Sequence, residues 1–149
     1  MYNLNATQLL RNLMKKYFTD FALANKIVWC TSVGPAELLR SFGFQVYFPE
    51  NHGALLGATR LAGEFIPTTI NLGYSGDVCS YLTSDIGAYL NKQSPLQQHY
   101  GMTGIPKPDL IVYNTNQCRE VQDWFNFYAK EFNCPAIGIF PPKIGRAHV

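Results

Sequence analysis

Four short apolar runs constrain the fold more than any other feature of the chain. They are Lys26-Ile27-Val28-Trp29-Cys30-Thr31, Phe44-Gln45-Val46-Tyr47-Phe48, Asp109-Leu110-Ile111-Val112-Tyr113 and Pro135-Ala136-Ile137-Gly138-Ile139-Phe140. Continuous β-branched and aromatic runs of this length read as strands buried in a sheet. Segments with helical spacing separate them. From Asn5 to Phe21, Leu9, Leu10, Leu13, Met14, Tyr17, Phe18 and Phe21 recur at intervals of three and four, with Asn5 as an N-cap. Pro35 suits the first turn of a helix running to Ser41 and stopped by Gly43. His52 to Ala62 has helical composition, and its small residues Gly53, Ala54, Gly57 and Ala58 permit close approach by another element.

Later segments are less uniform. Gly63 to Leu72 is ambiguous, because Pro67 interrupts it and Thr68-Thr69-Ile70 weakens a helix. Val78 to Leu90 reads as a helix capped by Asp77, with Tyr81, Leu82, Ile86, Tyr89 and Leu90 as packing residues. Asn91 to Pro108 reads as a long polar connection. Cys118 to Phe132 reads as a helix with Val121, Trp124, Phe125, Tyr128 and Phe132 on one side. Strands alternating with helices predict an α/β fold: a Rossmann/flavodoxin-like parallel sheet flanked by helices, with right-handed crossovers. In such sheets, ligands sit beyond the carboxyl ends of the strands.

At 149 residues, 47% hydrophobic and 15% charged, the chain is long and apolar enough for one full core. A net charge of +2 without a dense basic run argues against nucleic acid as a partner. Lys, Asp, Asn or Gly interrupts every apolar run before it reaches membrane-spanning length. The start, Met1-Tyr2-Asn3-Leu4-Asn5, lacks the basic and apolar regions of a secretion signal, so the expected location is the cytoplasm. In that reducing compartment, four cysteines serve as thiols, metal ligands or packed core more readily than as disulfides.

The last six residues, Ile144-Gly145-Arg146-Ala147-His148-Val149, are one reading frame of a common sequencing adapter, ATC GGA AGA GCA CAC GTC. Residues 144–149 are therefore read as an artefact, and His148 is not read as a ligand. Residues 1–143 are read as the N-terminal α/β part of a larger subunit.

Cys30, Cys79 and Cys118 all fall where predicted strands end or helices begin. They form no CxxC pair and are far apart in the chain, so any shared site must be assembled by the fold. Three thiolates can hold a [4Fe–4S] cluster by three irons and leave the fourth open. Spacing alone favours three unrelated core cysteines, since free Cys often acts as a small buried hydrophobe. Structural zinc usually takes four ligands, and no fourth is evident. Cys134, just before the last strand, reads as a packing residue.

The blocks around these cysteines carry more information. They are Trp29-Cys30-Thr31-Ser32-Val33-Gly34-Pro35-Ala36-Glu37-Leu38, Tyr47-Phe48-Pro49-Glu50-Asn51-His52, Gly73-Tyr74-Ser75-Gly76-Asp77-Val78-Cys79-Ser80-Tyr81, and Pro106-Lys107-Pro108-Asp109-Leu110-Ile111 followed by Asn114-Thr115-Asn116-Gln117-Cys118. In this order they resemble the 2-hydroxyacyl-CoA dehydratase / benzoyl-CoA reductase family, from about Lys26 to Pro142. The resemblance implies that Cys30, Cys79 and Cys118 ligate a [4Fe–4S] cluster. It further implies an acyl-CoA substrate, a homologous second subunit and a separate ATP-hydrolysing iron–sulfur activator. Electrons would pass to the thioester carbonyl to give a ketyl-type radical anion. Dehydratases then expel a β leaving group, whereas aromatic reductases reduce the ring. Members often carry Arg shortly after the second cysteine, where this chain has Leu82-Thr83-Ser84. Without the family's C-terminal half, the chain alone is expected to be inactive.

Ser32, Glu37 and Tyr81 are further candidates for orienting substrate or moving protons. Glu37 reads equally as an early-helix carboxylate favoured by the helix dipole, and Tyr81 as a buried aromatic. Asn116 shapes the third loop or satisfies a turn; His52 reads as a surface or capping residue. Two other functions remain open at this point. One is a non-catalytic subunit of the same complex that only relays electrons. The other is a cofactor-free α/β binding domain, which requires at least one of the three cysteines to lie well away from the others.

Overall fold

The computed structural model describes residues 5–140; the adapter-like tail lies outside the described residues. Helix α1 (Ala6–Thr19) is capped by Asn5, whose side chain accepts from the Gln8 N–H at 2.9 Å. A 3₁₀ turn follows at Asp20–Leu23. The remaining elements are β1 (Ile27–Cys30), α2 (Ala36–Ser41), β2 (Gln45–Tyr47), α3 (Pro49–Ala58), α4 (Ala62–Asn71), α5 (Ser80–Leu90), α6 (Pro95–Tyr100), β3 (Leu110–Asn114), α7 (Arg119–Glu131) and β4 (Ala136–Ile139).

The four strands form one parallel sheet in the order β2-β1-β3-β4, as the alternating pattern predicts. Trp29 sits opposite Tyr47 and Ile111, and Val28 opposite Val46 and Leu110. Period-two alternation splits the core into two layers. Trp29, Tyr47 and Ile111 pack with Leu82 and Ile86 of α5 and Trp124, Phe125 and Tyr128 of α7. Val28, Cys30, Val46 and Val112 pack on the other face with Leu39 of α2. The buried Trp29 indole N–H donates to the Pro106 carbonyl at 2.8 Å, which satisfies its polar group and fixes the loop before β3. The outer strand β4 differs, with Ala136, Ile137 and Gly138 exposed.

Local expectations changed where tertiary contacts outweighed propensity. The ambiguous stretch is helical as α4, with Pro67 inside it. Burial of Phe65 and Thr69 holds it, and the Thr69 hydroxyl donates to the Thr83 carbonyl of α5 at 2.6 Å. Helix α3 begins at Pro49, ahead of His52, because proline's fixed φ suits a first turn. Asp77 lies in a turn, and Cys79 occupies the N-cap position of α5. The polar connection contains α6, whose cap Ser94 accepts from the Leu96 N–H at 3.1 Å. Leu9, Leu10, Leu13 and Met14 of α1 are exposed, while Phe18 and Phe21 at its foot enter the core.

Helices α4 and α5 meet through Gly87. A Cβ there would collide with the Phe65 carbonyl oxygen. A Cβ at Gly57 of α3 would meet nothing within 4 Å. Gly87→Ala should therefore destabilise the protein by ~1–3 kcal/mol. Gly57→Ala should stabilise it by ~0.5–1 kcal/mol, through helix propensity. Urea unfolding of the intact subunit reads both; equal effects would refute the close α4–α5 contact.

Candidate functional site

Strand order reverses between β1 and β3: the chain leaves β1 for β2 on one side and returns to β3 on the other. A crevice opens at such a switch point, beyond the carboxyl ends of the strands. Cys30 is the last residue of β1, and Cys118 immediately precedes α7 in the loop leaving β3. The two loops are tied together. The Asn114 amide donates to the Val33 carbonyl at 2.6 Å. Glu50, in the first turn of α3, accepts from the Ser32 N–H at 3.1 and 3.2 Å. The Gln117 side chain lies close enough to the Glu50 carboxyl to stabilise its charged form.

The same helix reaches the start of α5. A Cβ on Gly53 would stand 3.0 Å from the Tyr81 Cβ and backbone oxygen, so only glycine admits the first turn of α5 this closely. This bears out the close approach expected from the small residues of α3. Cys79 lies just before that turn, at the N-cap position of α5. The three cysteines come from both sides of the sheet: Cys30 packs on the α2 face, whereas α5 and α7 cover the other. Among the described residues, no three His, Cys, Asp or Glu side chains converge as ligands of a single metal ion. A cluster makes a different demand, since it distributes its thiolates over separate irons.

The protonation of the site follows from burial. Cys30 is buried, and its thiol is pushed up to about 12, first by desolvation and then by the charges of Glu50 and Glu37. Cys79 and Cys118 are exposed at the N-cap positions of α5 and α7. Burial also raises the Glu50 carboxyl, while hydrogen bonding from Ser32 and the nearby Gln117 side chain oppose the shift. Two observations bear on whether the edge suits a bound group. A Cβ on Gly34 would collide with the Cys30 sulfur, so glycine alone keeps that sulfur clear. The buried Thr31 hydroxyl and Gln117 Oε1, adjacent in sequence to Cys30 and Cys118, have no hydrogen-bond partner among the described residues. Three sulfur ligands with a free hydroxyl donor, Thr31, beside Cys30 fit a thiolate-held cluster in their chemistry; the Gln117 Oε1 only accepts and adds nothing to that fit.

A family model described as 2-hydroxyglutaryl-CoA dehydratase, D-component, matches residues 31–148. The chain belongs to this family. It is 30% identical over 117 residues to the (R)-phenyllactyl-CoA dehydratase alpha subunit of Clostridium sporogenes, covering 78% of this chain and 27% of that protein. It is 27% identical over 124 residues to the alpha subunit of lactoyl-CoA dehydratase from Anaerotignum propionicum, covering 78% and 29%. It is 27% identical over 109 residues to a benzoyl-CoA reductase subunit of Thauera aromatica, covering 73% and 24%. The chain thus spans under a third of the length of these relatives.

Within this member of the D-component family, the sequence candidates fare differently. Ser32 is exposed and hydrogen-bonded to Glu50. Glu37 is exposed in the first turn of α2, where the helix-dipole reading placed it. Tyr81 is 45% exposed, which corrects both its packing role and the buried-aromatic reading. It lies in the first turn of α5, ahead of the Leu82-to-Ala88 stretch, which is buried all round. Asn116 is exposed in the turn after β3. His52 is 2% exposed, so its expected surface role is wrong; a buried carboxylate, Asp85, faces it. Cys134 packs against the core as expected. Glu50 was missed, although it stands in one of the quoted blocks. The available signal was an acid in the first turn of a helix entered directly from a strand.

Cys30 should resist modification. At pH 8 its thiolate fraction should be roughly 10³-fold below that of an ordinary cysteine of the same exposure. Iodoacetamide followed by peptide mass spectrometry should find Cys79 and Cys118 modified first, and denaturation should equalise all three. Because folding raises this thiol from 9.0 to about 12, its contribution to stability is fully present below pH 9.0 and lost as pH rises to about 12. Equal rates in the folded protein would contradict the burial of Cys30.

Proposed function

We propose that this chain is the cluster-carrying part of an iron–sulfur subunit of an acyl-CoA dehydratase or reductase. Cys30, Cys79 and Cys118 would hold a [4Fe–4S] cluster through three thiolates. What supports this reading is that Glu50 ties the segments of Cys30 and Cys118 together at the β1–β3 switch point, while Gly53, one turn further along α3, packs on Tyr81 two residues after Cys79. When bound, such a cluster supplies low-potential electrons to an acyl-CoA thioester.

The chain's own residues have separate tasks. Glu50, half-buried and with its carboxyl raised by burial, holds or returns a proton at the edge. Ser32 orients it through its N–H, and the exposed Ser32 hydroxyl provides a second polar contact. Tyr81 offers an exposed phenol beside Cys79. Glu37 acts at a distance, through its charge on Cys30. The Thr31 hydroxyl remains free to donate a hydrogen bond to the bound group. The wider reading follows from the family: a cytoplasmic, oxygen-sensitive complex with a homologous second subunit and an ATP-hydrolysing iron–sulfur activator. On this reading residues 1–143 would be the N-terminal part of the subunit; residues 144–149 are read as foreign from their adapter-like reading frame alone, although the family match runs to residue 148.

Iron, acid-labile sulfide and electron paramagnetic resonance on the anaerobically reconstituted intact subunit test this reading. Cys30→Ala, Cys79→Ala and Cys118→Ala should each lose the four-iron signal, and Cys134→Ala should keep it. No iron in the unaltered subunit, or a signal indifferent to the three changes, would remove the reading. Glu50→Gln should retain iron but lower kcat on the acyl-CoA substrate by roughly 10²–10⁴-fold. Loss of iron in that variant, rather than of turnover, would make Glu50 a clasp between loops and not a proton carrier.

A further inference from the structure

A second constellation lies inside the helical layer. Asp85 of α5 is 1% exposed and His52 of α3 is 2% exposed. The Asp85 Oδ1 faces His52 Nδ1 at 2.5 Å. Its Oδ2 accepts from the Trp124 indole N–H at 2.8 Å and the Tyr128 hydroxyl at 2.6 Å. A carboxylate receiving donors on both oxygens requires a proton on His52 Nδ1. In the neutral ring, Nε2 is then an acceptor. Ser94 Oγ lies 2.8 Å from Nε2, so the serine proton points at the imidazole. The Leu96 N–H donates to the same Oγ and fixes its position.

This arrangement opens onto space. His52 and Ser94 line a cavity of about 230 Å³ whose other walls include Ala88, Tyr89, Ile105 and Phe132, with Lys92 among the lining residues. An apolar cavity with a few convergent polar groups at one end is the usual form of a small-molecule site. A serine, a histidine of defined tautomer and a buried carboxylate in hydrogen-bonded series form a nucleophilic relay, which is recognised by geometry and not by chain order.

We propose that Ser94, His52 and Asp85 form a reactive-serine site that accepts a short acyl group from an ester or thioester. The serine oxygen bonds to the carbonyl carbon while its proton moves to His52 Nε2. The bond from carbon to the leaving oxygen or sulfur then breaks, and the leaving group takes that proton. Water repeats the sequence and releases the acid. Asp85 keeps the imidazole oriented and offsets its transient positive charge. Lys92 lines the same cavity, and the apolar walls receive the acyl chain. None of this depends on iron or on the three cysteines.

A biotinylated fluorophosphonate, applied to the intact subunit in its complex and followed by peptide mass spectrometry, tests the proposal. The expected result is a label on Ser94. The labelling rate should fall by roughly 10³–10⁴-fold in Asp85→Asn, which disturbs the histidine tautomer with little change of shape. Ser94→Asn should abolish labelling while keeping a side chain that can cap α6. Circular dichroism establishes folding in each variant. A folded unaltered protein without label on Ser94 overturns the proposal. So does labelling that proceeds at the same rate in folded Asp85→Asn, since a relay that only braces the helices gives the serine no special reactivity. If Asp85→Asn does not fold, His52→Gln gives the same comparison. If neither folds, the presence or absence of label on Ser94 in the unaltered protein, with Ser94→Asn as control, decides alone.

Discussion

A carboxylate with no access to water must be matched by donors, and Asp85 is matched by His52, Trp124 and Tyr128. Those donors come from α3 and α7, and the acid itself comes from α5. These are the helices whose first turns carry Glu50 and follow Cys118 and Cys79. One buried charge therefore sets the relative placement of three helix starts. Apolar packing between the same helices could tolerate some sliding, because dispersion contacts are individually weak and nondirectional. Short hydrogen bonds to a single carboxylate tolerate far less.

The sheet was legible because its signal is local. Ile27-Val28-Trp29-Cys30 and Leu110-Ile111-Val112 are apolar without a break, as strands covered on both faces must be. The strand order was not legible, since nothing local says that β3 returns to the far side of β1. Helix α4 was obscured by Pro67, whose cost is outweighed by contacts to α5, and Thr69 makes its decisive bond to a residue 14 positions away. Helix α6 was hidden in a polar loop although Ser94-Pro95 is an ordinary helix opening. The Asp85 network joins residues 33, 39 and 43 positions apart, beyond the reach of periodicity or propensity.

The candidate site was partly legible for the same reason. Cys30 and Cys118 could be placed from strand ends alone, whereas Cys79 depended on a helix start assigned to Asp77. Glu50 looked like any acid in a first turn, and only the fold shows that it joins the Ser32 and Gln117 loops. Leu82, Thr83 and Ser84 are all buried, whereas Tyr81 just before them is at the surface of α5.

Trp29 and Trp124 are the two tryptophans of the whole chain, and both belong to one aromatic cluster with Tyr128. Trp29 is hydrogen-bonded to the loop before β3, and Trp124 to the carboxylate that ties the helices together. Indole emission is sensitive to such partners and to water. The chain thus carries its own optical gauge: fluorescence from two natural chromophores reads the integrity of the layer that holds the cysteine-bearing segments in place, with no dye attached.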